Sequence, residues 1–171
     1  MSESYKNHAG ILNKIDLGGG CADFTNLGTN NPKLFNKCGR QKTIKVVNWD
    51  KNGNPVATRW FHLEDGRERP VAFPGFQMAI SEVREFEDKG DDDGSALISL
   101  TKQTHSGYVV WDIENRSPDR WNAISYSAFY GTRKFMDVTY ALAPTERINF
   151  WGAFEDENPL MYLNWSRLDP Y

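Results

Sequence analysis

From Thr43 to Tyr171 the chain is written in short runs in which apolar and polar positions alternate, with turn residues recurring about every 8–12 positions. That period of two is the pattern of half-buried strands. No 3.6-residue period of the kind an amphipathic helix requires persists beyond about two turns. The clearest pair is Thr43-Ile-Lys-Val-Val-Asn-Trp49 and Val56-Ala-Thr-Arg-Trp-Phe-His-Leu63, joined by Asp50-Lys-Asn-Gly-Asn-Pro55. Asn52-Gly53 supplies the left-handed positions of a tight hairpin, and Pro55 closes the loop. Phe76, Met78 and Ile80 alternate inward, whereas Val83 and Phe86 fall out of that register, which places a bulge near Ser81. Ala96, Ile98 and Leu100 share one face of a later strand, and Val109, Trp111 and Ile113 share one face of the next. Both sets are core candidates. Ile124, Tyr126, Ala128 and Tyr130 alternate with Ser125, Ser127 and Phe129, and further runs follow over Phe135–Leu142, Arg147–Phe154 and Leu160–Trp165.

These runs predict an all-β fold, an antiparallel β-sandwich or jelly-roll-like arrangement of about 8–9 strands. Residues 1–40 read differently, being rich in Gly and Asn, with Ala9–Leu17 as a short helix or extended arm ended by Gly18-Gly19-Gly20. The domain expectation is therefore an N-terminal arm over 1–40 and one β-sandwich domain over 41–171. No internal repeat aligns in the sequence.

Composition changes the picture at one point. The 171 residues include 6 Trp, 7 Tyr and 10 Phe, enough for a dense core. Yet neighbours on a strand, such as Phe129-Tyr130 and Phe150-Trp151, must point to opposite faces. At least one ring of each pair turns outward, toward a second packed layer or toward a partner. Trp121, Tyr130, Trp151, Tyr162 and Trp165 are the candidates for an aromatic binding surface.

The net charge of −3 excludes the basic concentration that polyanion binding needs, so nucleic acid is not an expected partner. No apolar run approaches the roughly 20 residues that span a bilayer. The N-terminus lacks the pattern of a secretory leader, so a cytoplasmic location without a signal peptide is the expectation. Cys21 and Cys38 bracket a Gly- and Asn-rich stretch and can be either a disulfide or two reduced thiols.

Much of the acidity lies between Glu82 and Asp93. Asp88, Asp91, Asp92 and Asp93 are the candidate calcium ligands, although the order of Asp and Gly does not follow the EF-hand loop. A solvated acidic loop is the simpler reading, and no other cofactor is expected. Catalysis would fall to His62 or His105, with Glu64, Asp112 or Asp119 orienting the ring. None of the nucleophile-elbow, zinc-protease or paired-cysteine motifs is present, and the expectation is a protein that is not an enzyme.

The succession Lys45-Val-Val47, Trp60-Phe61, Phe73-Pro74-Gly75, Trp121-Asn122, Tyr130-Gly131 and Tyr140-Ala-Leu-Ala-Pro144 is similar, at single residues and dipeptides, to small β-sandwich cytolysins of the actinoporin type. That likeness implies an N-terminal amphipathic segment entering membranes and an aromatic cluster on lipid headgroups. The chain departs from the pattern in its acidity, its cysteines and its glycine-interrupted N-terminus. Taken together, the sequence predicts a non-catalytic β-sandwich protein acting through surfaces and self-associating into a homo-oligomer or ordered assembly. The alternative is a module binding a glycan or a lipid headgroup, and a small hydrolase ranks behind both.

Overall fold

The structure, a computed structural model, describes residues 21–26, 32–71, 77–90, 97–154 and 160–171. Its strands are β1 (Ala22–Thr25), β2 (Lys33–Asn36), β3 (Lys42–Trp49), β4 (Pro55–Leu63), β5 (Glu68–Pro70), β6 (Gln77–Arg84) and β7 (Phe86–Asp88). They continue with β8 (Ile98–His105), β9 (Tyr108–Asn115), β10 (Trp121–Tyr130), β11 (Arg133–Leu142), β12 (Arg147–Phe154) and β13 (Leu160–Pro170). No α-helix occurs among the described residues, so none is long and apolar enough to cross a membrane. The registered pairs are antiparallel. The fold is thus of the antiparallel all-β class that the alternation predicts. It has more strands than expected, because β1 and β2 lie in the Gly- and Asn-rich segment and β5 and β7 are too short to alternate visibly.

The chain forms two compact units. Unit 1 takes Met1–Glu87, Val138–Tyr140 and Pro170–Tyr171, and unit 2 takes Asp88–Asp137 and Ala141–Asp169. Within unit 1, β1 and β2 pair with each other, and β2 with β5. The expected arm or helix over Ala9–Leu17 lies outside the described residues.

In unit 1, β6, β3 and β4 pair in that order with β11 next to β4, beside the sheet β1-β2-β5. The β3–β4 hairpin turns at Asp50–Asn54. Asp50 Oδ1 accepts the N–H groups of Asn52 and Asn54, and Gly53 takes φ +80°, as Asn52-Gly53 predicts. Across β3 and β6, Val46 faces Ile80 and Lys45 faces Glu82, which leaves Ser81 as the bulged residue. Leu34, Ile44, Val46, Phe61, Leu63, Met78, Ile80 and Phe86 form the core. A disulfide joins Cys21 to Cys38. In unit 2 the order is β11, β10 and β13, with a second sheet β12-β9-β8. Its core holds Val109, Ile113, Ile124, Tyr126, Ala128, Leu142, Ile148 and Leu168.

Several strand pairings and backbone hydrogen bonds of unit 1 recur in unit 2, although the sequence shows no alignable repeat. Across β2 and β5, Leu34 faces Arg69 and Phe35 faces Glu68; 79 positions on, Ile113 faces Ile148 and Glu114 faces Arg147 across β9 and β12. At the end of β2 the buried Asn36 donates from Nδ2 to the carbonyls of Arg40 and Leu63 and accepts the Cys38 N–H. At the end of β9 the buried Asn115 donates to the carbonyls of Arg120 and Leu142 and accepts the Ser117 N–H. The backbone bonds from Asn36 N–H to the Arg67 carbonyl and from Arg67 N–H to the Glu64 carbonyl recur from Asn115 to Glu146 and from Glu146 to Ala143. The left-handed residue of that turn is Gly66 in one unit and Thr145 in the other.

The burial pattern of Lys42–Asn48 on β3 also recurs, position by position, in Asn122–Ala128 on β10. An ion pair is kept with its charges exchanged: Lys33 to Glu68 at 3.4 Å in unit 1 becomes Asp112 to Arg147 at 2.6 Å in unit 2.

Candidate surface of the second unit

β10 and β13 pair along their whole common length, with Ser127 opposite Tyr162 and Phe129 opposite Leu160. Because side chains alternate, these four lie on one face of the ribbon, while Ile124, Tyr126 and Ala128 lie on the other and enter the core. Toward the hairpin end the first face is open. Leu160 is 56% and Tyr162 59% exposed, and the Phe129 ring stands edge-on to the Tyr162 ring at 5.6 Å between centroids. Ser127, Phe129, Leu160 and Tyr162, with Gly131 and Thr132 of the two-residue turn, line a cup of about 520 Å³. Gly131 takes φ +62°, which a tight β10–β11 turn requires.

Polar groups border the cup. Ser127 Oγ donates to Asp137 Oδ1 at 3.4 Å, and Lys134 Nζ lies 3.2 Å from Asp137 Oδ2. An exposed ring, an apolar floor and a hydroxyl beside a carboxylate can stack on one side of a small ring and hydrogen bond around its rim.

The same place in unit 1 is closed. There Trp49 faces Gln77 and Val47 faces Ala79 across β3 and β6, and Trp49, Gln77 and Ala79 are buried. The cup is therefore one difference between the two units.

Of the aromatics singled out from the sequence, the cup contains Tyr162. Trp121 and Trp165 are half-buried, Trp165 facing the buried Ile124, and Tyr130 is half-buried at the end of β10. By alternation Trp121 lies on the same face of the ribbon as Ser127 and Tyr162, six positions from Ser127, and Trp165 on the opposite face. Trp151 faces Trp111 in the β12–β9 register, and its side chain lies outside the described residues. Phe129 and Leu160 were not among the candidates. The adjacency of Phe129 and Tyr130 was the available signal, since it forces one of the pair outward. Leu100, expected in the core, is 45% exposed.

The other candidates are held by structural contacts. Buried His62 is 2.9 Å from Thr43 Oγ1 at Nδ1 and 2.8 Å from Gln41 Oε1 at Nε2, so it is not oriented by Glu64, Asp112 or Asp119 through these ring nitrogens. Glu64 lies 3.3 Å from Arg67, and Asp119 Oδ1 accepts the Ser117 hydroxyl. Asp112 is buried and accepts hydrogen bonds from Arg147 and Gln103; that bond raises the Arg147 pKa above its ordinary value. The His105 side chain lies outside the described residues. Asp88 accepts the Gly90 N–H on Oδ1 and the Ser166 hydroxyl on Oδ2. Asp91, Asp92 and Asp93 lie outside the described residues, and among the described residues no group of three metal-ligating side chains gathers.

No protein-family model, no curated protein and no solved structure matches the chain.

Proposed function

We propose that this is a non-catalytic β protein that works through its surfaces, and that the cup on unit 2 receives a carbohydrate. The observation that carries this reading is the open, aromatic-walled cup at a place where the matching unit is filled. A sugar ring has an apolar C–H face, which suits the exposed Tyr162 ring braced by Phe129, and hydroxyls, which suit Ser127, Thr132 and Asp137. The volume falls within the range of small-ligand pockets, about 300–1,000 Å³. A lipid headgroup is the competing occupant, but the Asp137 carboxylate beside Ser127 suits an uncharged polyol better than a phosphate. The Cys21–Cys38 disulfide supports an oxidising compartment over the cytoplasmic location expected from the N-terminus.

The test is a glycan array read beside liposome flotation, for wild type and Tyr162→Ala. Tyr162 is largely exposed, so the variant keeps the fold. Glycan binding that weakens about tenfold or more in the variant is expected, since one stacked ring contributes about 0.5–1.5 kcal/mol beyond its buried area. Silence on the array, equal binding by the variant, or binding to liposomes alone overturns the reading.

A further inference from the structure

β8 is the last strand on its side of the sheet β12-β9-β8. Its registered partner is β9, from Ile98 opposite Asn115 to His105 opposite Tyr108, and among the described residues no strand lies beyond it. Leu100 through Thr104 are all exposed, which means that neither face of this stretch is covered. A strand edge presents a row of backbone N–H and C=O groups, and proteins protect such rows with short strands, charge or proline. Here the edge strand has eight residues, Ile98-Ser-Leu-Thr-Lys-Gln-Thr-His105, with no proline and Lys102 as its one Lys, Arg, Asp or Glu. Its counterpart in unit 1, β1, has four residues and starts beside the disulfide cysteine Cys21.

The side chains show which partner fits. Ile148 faces Ile113 and Ile113 faces Leu100, so an apolar row crosses the sheet: Ile148 and Ile113 are buried, and the row ends at exposed Leu100. We propose that a second copy of this chain completes the row by antiparallel β8-to-β8 pairing about a two-fold axis at Leu100. In that register Leu100 meets Leu100, Ser99 meets Thr101, and Ile98 meets Lys102. The apolar row doubles in length, the other face pairs hydroxyl with hydroxyl, and no like charges oppose. The contact is isologous and closed, giving a dimer and not a fibre. Alternatives centred one or two residues further along lose a feature: centring on Lys102 sets two ammonium groups face to face, and centring on Thr101 places Lys102 on Leu100.

The surface is separate from the cup, and the experiment keeps them apart. Light scattering behind size exclusion on the full chain at high micromolar concentration is expected to show a dimer. Leu100→Lys is expected to weaken it about tenfold or more, with the thermal melt unchanged at dilutions where both proteins are monomeric, because the site is exposed. Tyr162→Ala is expected to leave it intact. Leu100→Cys is expected to give a covalent dimer under mild oxidation, because residues directly opposite on antiparallel strands lie within disulfide reach, whereas Thr104→Cys is not. A wild-type monomer throughout the concentration range, a dimer indifferent to Leu100→Lys, or cross-linking at position 104 in place of 100 overturns the proposal.

Discussion

Gln77 begins β6 with 2% of its surface exposed, and neither its amide oxygen nor its amide nitrogen is hydrogen-bonded. Burying such a group without partners costs about 1–3 kcal/mol. The matching residue of unit 2 is Leu160, placed by the same pairing opposite Phe129 that Gln77 has opposite Trp49. Gln77→Leu, close to Gln in volume, is therefore expected to stabilise the protein by about 1–3 kcal/mol. A urea midpoint that rises at constant slope would show it, and a lower midpoint would refute it.

Glu85 is the opposite case, a carboxylate held in its charged form. It accepts hydrogen bonds from Lys42, whose side chain is nearly buried, and from Arg40, and these hold its pKa below the ordinary 4.5. A depressed folded-state value contributes stability that is complete above the unfolded-state pKa and lost as pH falls through the folded one. Glu85→Gln should be less stable than wild type at neutral pH, and the gap should close as pH falls below 4.5. Urea midpoints measured down an acid series check the convergence, and parallel curves would count against it.

At the scale of elements, what matters is which strands alternation can reveal. It reveals β3 and β10, where Ile44 and Tyr126 stand among polar neighbours, and β4 and β6 through their runs of β-branched and aromatic or alternating apolar residues, and the positions of the Asn52-Gly53 turn and the Ser81 bulge follow from it. It does not reveal β1 and β2, where buried Leu34 is surrounded by residues that read as loop and buried Asn36 serves the backbone. It misplaces Leu100, because a residue facing the core side of an edge strand need not be covered. The cup was half legible. Outward aromatics follow from sequence adjacency, but which of them gather depends on the β10–β13 register.

The paired hairpins also make a prediction. Lys37 N–H donates to the Cys21 carbonyl and Cys38 follows; Arg116 N–H donates to the Leu97 carbonyl and Ser117 follows. Leu97 and Ser117 thus stand where unit 1 has its disulfide. The double variant Leu97→Cys, Ser117→Cys is expected to close a second disulfide on oxidation and to stabilise the protein by about 3 kcal/mol. Thiol titration and the thermal midpoint report it, and two persistent free thiols would show that the hairpins do not correspond.

For the whole molecule, the lesson of the two matching units is that geometry has been kept where sequence has not. Asn36 and Asn115 keep the same backbone bonds, while Leu34 has become Ile113 and Gly66 has become Thr145. Such swaps keep shape and lose identity, which is why the repeat is hidden from sequence comparison. The cup, open in one unit and closed in the other, marks where the two units differ in packing. The exchanged ion pair bears on how such a chain reaches its fold. Two similar halves on one chain risk assembling with each other's strands, a known failure of repeated domains. If β2 took β12 in place of β5, Lys33 would meet Arg147; if β9 took β5, Asp112 would meet Glu68. Each wrong partner repels where the right one attracts, so the reversed polarity favours the pairing of each half with its own strands.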